Sequence, residues 1–343
     1  MAAEPAAPSS SPVSMTDQPQ IAVRTQLGRA DDLRAELTTE VSLPTGVAPS
    51  GAELAIEAAI SGPESVRSTT LPVRLPVRFT GQQETSAGTA FAGRVVLTEP
   101  AYWTPELPMR YRIAGRLLAD GQPVVRFDVL IGLRRLGVRG HSLWLDGRRW
   151  VPRGLVSGRA TEPDLPGRLA AMDGTAVAIV ELPAAATVEN APPLWGCLAE
   201  ADRLGRPLIL RLNEGSPAAT VEGIARLAGH PAVMAVVLPA NRVAAASEWK
   251  QRAGTMLLAA ELPGDQPPPA APAGIDLLVV RLAADALPTD AWRIPAALPA
   301  VVWQSASEPT RAGCDRLQAA LAGWRVAGER LPADWDWAGF LVG

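Results

Sequence analysis

Short apolar runs separated by proline, glycine and serine fill the chain between residues 20 and 138. Segments such as ELAIEAAI, AGRVVL and VVRFDVLIGL alternate in part between apolar and polar positions, as strands with one buried face do. Asp120-Gly121 and Asp146-Gly147 stand between such runs, and an Asp-Gly pair favours a two-residue hairpin turn. The pattern predicts an antiparallel β-sandwich over residues 20–138.

After Trp150 the pattern changes to apolar runs that alternate with amphipathic segments rich in alanine and leucine. Continuous apolar runs separated by helices are typical of parallel strands buried on both faces. Eight such runs predict a small (β/α)8 barrel over residues 139–343. The runs are RWVPRGLV, AVAIVEL, PLILRL, AVMAVVL, TMLLAAEL, IDLLVVRL, LPAVVWQ and WAGFLVG. The proline-rich stretch GDQPPPAAPAG follows the fifth run and is predicted to replace one helix.

Composition and charge narrow the classes of function. The 343 residues are 48% hydrophobic and carry a formal net charge of -3, which argues against nucleic acid as a partner. No apolar run reaches the length of a membrane-spanning helix, so no membrane partner is expected. The first residues do not resemble a signal peptide, and the cytoplasm is the expected location. Their alanine, proline and serine content predicts a disordered tail over residues 1–19.

Two cysteines and two histidines limit the metal and redox chemistry of the chain. Cys197 and Cys314 lie far apart in helix-like segments, which predicts two buried free thiols. His141 and His230 are too few for a histidine-rich zinc centre, and no glycine motif for phosphate or dinucleotide binding occurs. The sequence therefore predicts no metal and no cofactor.

Two motifs at the junction of the predicted domains resemble those of family 2 glycoside hydrolases. The segment AYWTPELPMRY, which begins at Ala101, is similar to a motif near the end of that family's immunoglobulin-like sandwich. The later segment IGLRRLGVRGHSLWLDGRRWVPRGL resembles the family's transition into its barrel, with Arg134 and Arg153 expected to stabilise the domain interface. The resemblance implies an immunoglobulin-like sandwich followed by a TIM-type barrel, and it argues for fold rather than activity.

The resemblance also implies two catalytic glutamates, and this chain has amides at the matching positions. A retaining glycosidase uses one carboxyl group as acid/base and a second as nucleophile. Asn241 occupies the acid/base position after the fourth run, and Gln304 occupies the nucleophile position at the end of the seventh. The second run has Ala178 and Glu181 where the family has residues that line the sugar site. We therefore predict a non-catalytic relative, or pseudoenzyme, that serves as a binding or scaffold module.

Two alternatives to the pseudoenzyme remain open. Relocated carboxylates at the ends of the second, third and fifth runs would give an active glycosidase. The candidates for this role are Glu181, Glu214 and Glu261. The same residues would have only a structural role if they cap helices, meet solvent or pair with arginines. The chain would otherwise be a structural subunit of a larger assembly. The predicted contacts for a carbohydrate or protein partner at the barrel are Asn213, Asn241, Gln304, Trp335 and Asp336.

Overall fold

The computed structural model describes most of the chain, including both predicted domains. It covers residues 21–47, 49, 51–85, 88–172, 176–182, 192–216, 219–293, 296–306, 309–327 and 335–343. The predicted tail, residues 1–19, lies outside this set. Among the described residues, no helix combines the length and the apolar composition that crossing a membrane requires.

Seven antiparallel strands form the first domain. They are β1 (Ala22–Ala30), β2 (Arg34–Pro44), β3 (Leu54–Glu64), β4 (Val73–Thr85), β5 (Gly88–Thr98), β6 (Arg110–Ala119) and β7 (Gln122–Ile131). Their order in the sheet is β1-β2-β5-β4-β3-β6-β7. Along β2 and β5 buried and exposed residues alternate, so one face of the sheet packs inward and the other meets solvent.

The long strand β4 joins the two layers of this domain. Residues 73–77 of this strand pair with β3, whereas residues 78–85 pair with β5 past an irregularity near Gly81. A strand that changes partner along its length turns the corner between two packed layers. The core between the layers includes Leu37, Ile60, Val95, Ile113 and Leu117. The predicted sandwich is confirmed, in the form of one antiparallel sheet curled over on itself.

Both Asp-Gly pairs form the predicted hairpin turns. The φ angles are 48° and 76° at Asp120 and Gly121, and 49° and 75° at Asp146 and Gly147. Two successive positive φ angles define a type I′ turn, whose twist matches that of the flanking strands. Each turn joins two adjacent antiparallel strands and fixes their register.

A three-stranded meander connects the sandwich to the barrel. Its strands are β8 (Leu136–Arg139), β9 (Ser142–Leu145) and β10 (Arg148–Trp150). Leu136, Leu143 and Leu145 are buried in the same hydrophobic cluster as the barrel strands. Arg149 of β10 lies 3.9 Å from Asp336, which precedes the last barrel strand. The meander therefore lies against the amino-terminal end of the barrel.

Eight parallel strands close into the predicted barrel without an edge. They are β11 (Arg153–Arg159), β12 (Val177–Leu182), β13 (Leu208–Leu212), β14 (Val233–Leu238), β15 (Leu257–Pro263), β16 (Leu277–Leu282), β17 (Ala300–Gln304) and β18 (Gly339–Val342). The helices around them are α1 (Leu165–Ala171), α2 (Pro192–Leu204), α3 (Val221–Ala228), α4 (Ala246–Ala253) and α5 (Arg311–Val326). Short 3-10 helices lie at Ala240–Ala245 and Asp290–Arg293.

No helix connects β15 to β16, as the proline-rich stretch there predicts. The connection, residues 264–276, consists of turns and irregular chain. Proline has no backbone N–H and clashes within a helix, so consecutive prolines prevent one from forming. Ile275 from this segment is nevertheless buried in the barrel's hydrophobic cluster. The segment thus covers part of the barrel where a helix would otherwise lie.

Gly154 shows which residues of the barrel strands point inward. A β-carbon at this position would come within 2.4 Å of Leu341 Cδ2 and 3.3 Å of Ile179 Cδ1. The side chains of Leu341 and Ile179 therefore point into the barrel and fill the space that a side chain at Gly154 would occupy. Because side chains alternate along a strand, every second residue from these positions also faces the interior.

Trp103 and Arg134 attach the sandwich to the barrel. The buried Trp103 donates its indole N–H to Asp202 O at 2.8 Å. Arg134 donates from Nη1 to the carbonyl oxygens of Pro231 and Val233 at 2.5 and 2.6 Å. Burial lowers the pKa of Arg134 to about 10, so the guanidinium still carries its charge at neutral pH. The prediction that Arg134 stabilises the interface is confirmed.

The same prediction for Arg153 is wrong. Its Nε donates to Asp315 at 3.1 Å and its Nη2 to Gln318 at 2.5 Å, and both partners lie on α5. Arg153 begins β11, and α5 packs against that strand, so the arginine joins two elements of the barrel. Cys197 and Cys314 are free and buried, as the sequence predicts.

Replacing Arg134 by methionine tests its role at the interface. The variant keeps most of the side-chain volume but removes the donors to two buried carbonyl groups. We expect it to lower the free energy of unfolding by about 3 kcal/mol, measured by urea denaturation. Arg112→Met removes a solvent-exposed ion pair with Asp128 and is expected to change stability by about 0.5 kcal/mol or less. Equal stability of the two variants would contradict this role.

Alkaline titration tests the packing of the only two tyrosines in the chain. Tyr102 donates to Asp31 O at 2.6 Å, and Tyr111 accepts from the amide of Ala101 at 2.9 Å. Burial raises the pKa of Tyr102 to about 12 and also raises the pKa of Tyr111. Because the folded state favours the neutral phenols, their contribution to stability is complete below pH 10 and is lost as pH rises towards 12.

We therefore expect little tyrosinate absorbance from the folded protein at pH 10, while the urea-unfolded chain ionises there. Circular dichroism on the same samples shows whether the protein is still folded. A native protein whose phenols both titrate near pH 10 would contradict the burial of these rings.

Candidate functional site

Four charged residues of alternating sign lie on the inner face of the barrel, near the carboxyl ends of its strands. Glu181 is two residues beyond the inward-facing Ile179 and pairs in register with Arg211. Glu261 and Arg281 occupy the corresponding inner positions of β15 and β16. We call Glu181, Arg211, Glu261 and Arg281 the rim network, and the carboxyl end of the barrel its mouth. Active sites of barrels of this type lie at that end.

Arg211 is the centre of the rim network. Its Nε and Nη2 donate to Oε2 and Oε1 of Glu261 at 2.7 and 3.3 Å. Its Nη1 donates to Glu181 Oε1 at 3.2 Å and to Asn213 Oδ1 at 3.3 Å. The guanidinium thus lies between the two carboxylates and engages both oxygens of Glu261. A forked, charge-assisted arrangement of this kind fixes both partners in orientation.

Arg281 lies beside this pair with far fewer protein contacts. Its Nε is 3.8 Å from Glu261 Oε1, and its guanidinium carbon is 4.0 Å from the ring centre of Trp303. Trp303 points inward from β17 and is held by an indole hydrogen bond to Gly343 O at 2.9 Å. Within the described residues Arg281 donates no hydrogen bond, and its Nη1 is buried without a partner.

The surroundings act differently on the pKa values of the two arginines. The hydrogen bonds that Arg211 donates to Glu261, together with the negative charge of Glu181, raise the pKa of Arg211. Burial lowers the pKa of Arg281, and the positive charge of Arg211 adds to this effect against the attraction of Glu261. Arg281 is therefore the cation of the mouth whose charge the protein compensates less well.

A pocket of about 470 Å³ opens at the mouth beside the rim network. Arg211, Glu261 and Arg281 form its charged wall, while Asn213 and Glu214 lie on the loop that follows β13. Ala240 and neighbouring residues after β14 complete the lining. Within the described part of the chain, no group of three or more histidine, cysteine or acidic side chains has the arrangement of a metal site. The pocket therefore offers guanidinium, amide and carboxylate groups to a ligand.

The two amides at the expected catalytic positions do not contribute to the lining of this pocket. Asn241 is exposed in the first turn of the 3-10 helix after β14, and Gln304 ends β17. Gln304 donates from Nε2 to Ala286 O at 3.0 Å, so its side chain is held by the loop after β16. Neither residue is among the described residues that line the pocket. Their correspondence to the catalytic glutamates stays a prediction from the sequence.

Trp335 and Asp336 do not fit the predicted ligand contacts. Both precede β18 and therefore lie at the amino end of the barrel, away from the mouth. Trp335 is fully buried, with its ring centre 5.1 Å from that of Trp337. Asp336 lies 3.8 Å from Arg325, in addition to its contact with the meander. Residues that precede a parallel barrel strand lie at its amino end, so these two side chains are far from a pocket at the carboxyl end.

The sequence contains a signal for the rim network that simple motif matching misses. Four apolar runs end in a single charged residue followed by leucine, in the order VEL, LRL, AEL and VRL. Each charged residue is second from the end of an otherwise apolar run, so all four belong to equivalent positions on their strands. Trp303 has no comparable signal, because a tryptophan within an apolar strand is usually part of the core.

Solved structures with the same fold include several glycosidases. No protein-family model matches the sequence, and no curated protein matches it. A calcium-binding mutant of β-glucuronidase 2 from Bacteroides uniformis is 13% identical, with a TM-score of 0.55 over 94% of this chain and 46% of that one. A glycosyl hydrolase family 2 member from Bacteroides cellulosilyticus is 14% identical, with a TM-score of 0.53 over 93% and 45%.

The β-glucuronidase of Parabacteroides merdae is 11% identical, with a TM-score of 0.50 over 82% of this chain and 38% of that one. The chain therefore spans less than half the length of these proteins. At such low identity the comparison establishes the fold alone. The chain has the architecture of the immunoglobulin-like and barrel part of family 2 glycoside hydrolases.

Proposed function

We propose that the chain is a non-catalytic protein with the glycoside hydrolase family 2 fold, whose barrel mouth binds a ligand without cleaving it. One observation carries this proposal: Arg211 lies between Glu181 and Glu261 and holds both carboxylates in ion pairs. The amides Asn241 and Gln304, at the positions matched to catalytic glutamates, support the same conclusion. The expected cytoplasmic location remains part of this proposal.

Hydrolysis by the retaining mechanism needs two carboxyl groups that reach the scissile bond. One must deliver a proton to the leaving oxygen, and the other must attack the sugar with a free carboxylate oxygen. Both oxygens of Glu261 already accept hydrogen bonds from Arg211. Glu181 accepts from Arg211 through Oε1, and its Oε2 lies 3.9 Å from Arg159. In this arrangement the carboxylates neutralise arginines.

The chemistry of the pocket supports binding. Guanidinium, amide and carboxylate groups converge at the mouth, where each can exchange hydrogen bonds with hydroxyl groups. The rim residues are 23% to 31% exposed, so they are accessible from the pocket. The named neighbours are glycosidases, and a carbohydrate-like ligand is for this reason our first choice of ligand class. A protein partner in a larger assembly stays a prediction from the sequence.

An active glycosidase with relocated carboxylates is the second candidate function. The observation in its favour is that Glu181 and Glu261 lie in the same rim and share Arg211. Glu214 is less suited, because it is exposed on the outer part of the pocket. This candidate requires that a bound sugar displace Arg211 from at least one carboxylate.

Assays with a panel of aryl glycosides separate the two candidates. We expect the wild-type protein to release the aryl group no faster than buffer, since neither carboxylate is free to act. If turnover does occur, it should disappear in Glu261→Gln and persist in the control Glu248→Gln, which changes an exposed glutamate on α4. That pattern would establish the relocated-carboxylate enzyme and refute the binding protein.

Removing the central cation tests how strongly the rim network depends on it. Arg211→Met leaves Glu181 and Glu261 without their shared partner, and we expect a loss of about 1–3 kcal/mol in the free energy of unfolding. The double variant Arg211→Met with Glu261→Gln should recover part of this loss, because fewer unpaired charges remain. Urea denaturation of the single and double variants measures the coupling. Strict additivity would show that the pair contributes little.

A further inference from the structure

We propose that the mouth pocket binds a hydroxylated organic monocarboxylate, with Arg281 as the residue that takes the carboxylate group. This inference rests on the proposed binding function and names the class of ligand. It follows from the hydrogen bonds, the charges and the stacking of Arg281.

Arg281 has donors that the protein does not satisfy. Its Nη1 is buried without a partner, and within the described residues none of its five N–H groups donates a hydrogen bond. Glu261 Oε1 lies 3.8 Å from Nε of Arg281, but both oxygens of Glu261 already accept from Arg211. Unsatisfied guanidinium groups in a pocket are suited to an acceptor that comes from outside the chain.

Arg293 shows how the same chain satisfies an arginine that has only a structural role. Like Arg281, it lies over a tryptophan, with its guanidinium carbon 4.7 Å from the ring centre of Trp324. Unlike Arg281, it donates to Asp290 at 2.8 Å and to Trp324 O at 3.1 Å. It belongs to the 3-10 helix between β16 and β17 and contacts α5 through Trp324, outside the lining of the pocket. Arg281 thus lacks the acceptors that this comparable tryptophan-stacked arginine has.

The charges beside Arg281 favour a ligand with a single negative charge. In the lining of the pocket Arg211 and Arg281 face Glu214 and Glu261, so the lining carries no net charge, and both oxygens of Glu261 are already engaged by Arg211. A monocarboxylate supplies one negative charge to Arg281, whereas a phosphate dianion would bring a second charge that Glu214 and Glu261 repel.

Stacking on Trp303 orients Arg281 for a carboxylate. A guanidinium held against a ring keeps its plane, and its N–H groups then form a rigid fork that matches two carboxylate oxygens. The remaining polar residues of the lining, Asn213, Glu214 and Glu261, suit hydroxyl groups on the rest of the ligand. A pocket of about 470 Å³ has room for a molecule of six carbons.

Isothermal titration calorimetry with D-gluconate and sorbitol tests the assignment on the wild-type protein. The two probes share a six-carbon hydroxylated skeleton and differ in the carboxylate. We expect gluconate to bind at least about tenfold more tightly than sorbitol, because a charge-assisted hydrogen bond contributes about this factor or more. Equal affinity for the two probes, or no binding of gluconate, would overturn the assignment. So would inorganic phosphate that binds as tightly as gluconate.

Variants locate the binding group. Arg281→Gln is expected to weaken gluconate binding at least about tenfold, and Arg281→Lys to give an intermediate affinity because it keeps the charge but loses the fork. The matched control Arg293→Gln removes a tryptophan-stacked arginine outside the pocket lining and should bind gluconate like the wild type. Circular dichroism establishes that each variant is folded. Unchanged binding by folded Arg281→Gln would refute the role of Arg281.

The aryl glycoside assay is independent of these titrations. Gluconate binding without turnover supports both proposals, and turnover with gluconate binding refutes only the non-catalytic function. Absence of turnover together with absence of gluconate binding refutes only the ligand class.

Discussion

A charged side chain on the inner face of a closed barrel is costly to leave without a partner, because the neighbouring strands shield it from most of the solvent. Arg211 lies between Glu181 and Glu261 and forms an ion pair with each of them. These two ion pairs determine which charged groups at the mouth are left for a ligand. Both carboxylates are engaged by Arg211. Arg281 has only Glu261 as a nearby counterion among the described residues, and it shares this carboxylate with Arg211. The ability of the mouth to catalyse or to bind depends on this division of charge.

A buried arginine at the other end of the barrel has different hydrogen-bond partners from those of the rim network. Arg134 is more deeply buried than any rim residue, and two backbone carbonyl oxygens accept hydrogen bonds from its Nη1. Trp103 and Asp202 add a second contact between sandwich and barrel. Several hydrogen bonds across an interface hold two domains in one arrangement, whereas a guanidinium that donates none within the described residues leaves its donors available to a ligand.

Much of the fold could be predicted from the sequence, because the periods of apolar residues differ between the two domains. Two Asp-Gly turns, eight buried strands and one missing helix each have a local cause that the sequence displays. The rim network depends on contacts between residues 30 and 50 positions apart, and only the register of the barrel brings them together. The ligand contacts predicted for Trp335 and Asp336 are wrong because both residues precede β18 and lie at the amino end of the barrel, opposite the mouth.

The helix that is absent between β15 and β16 has a consequence for how the chain can vary. Irregular segments have no helical repeat to preserve, and lengthening them adds only slowly to the entropy of loop closure. Residues 264–276 need only keep a few apolar anchors such as Ile275 over the barrel. Since Leu262 and Pro263 line the pocket just before this segment, insertions or deletions here would reshape one wall of the mouth and leave the closed sheet unchanged.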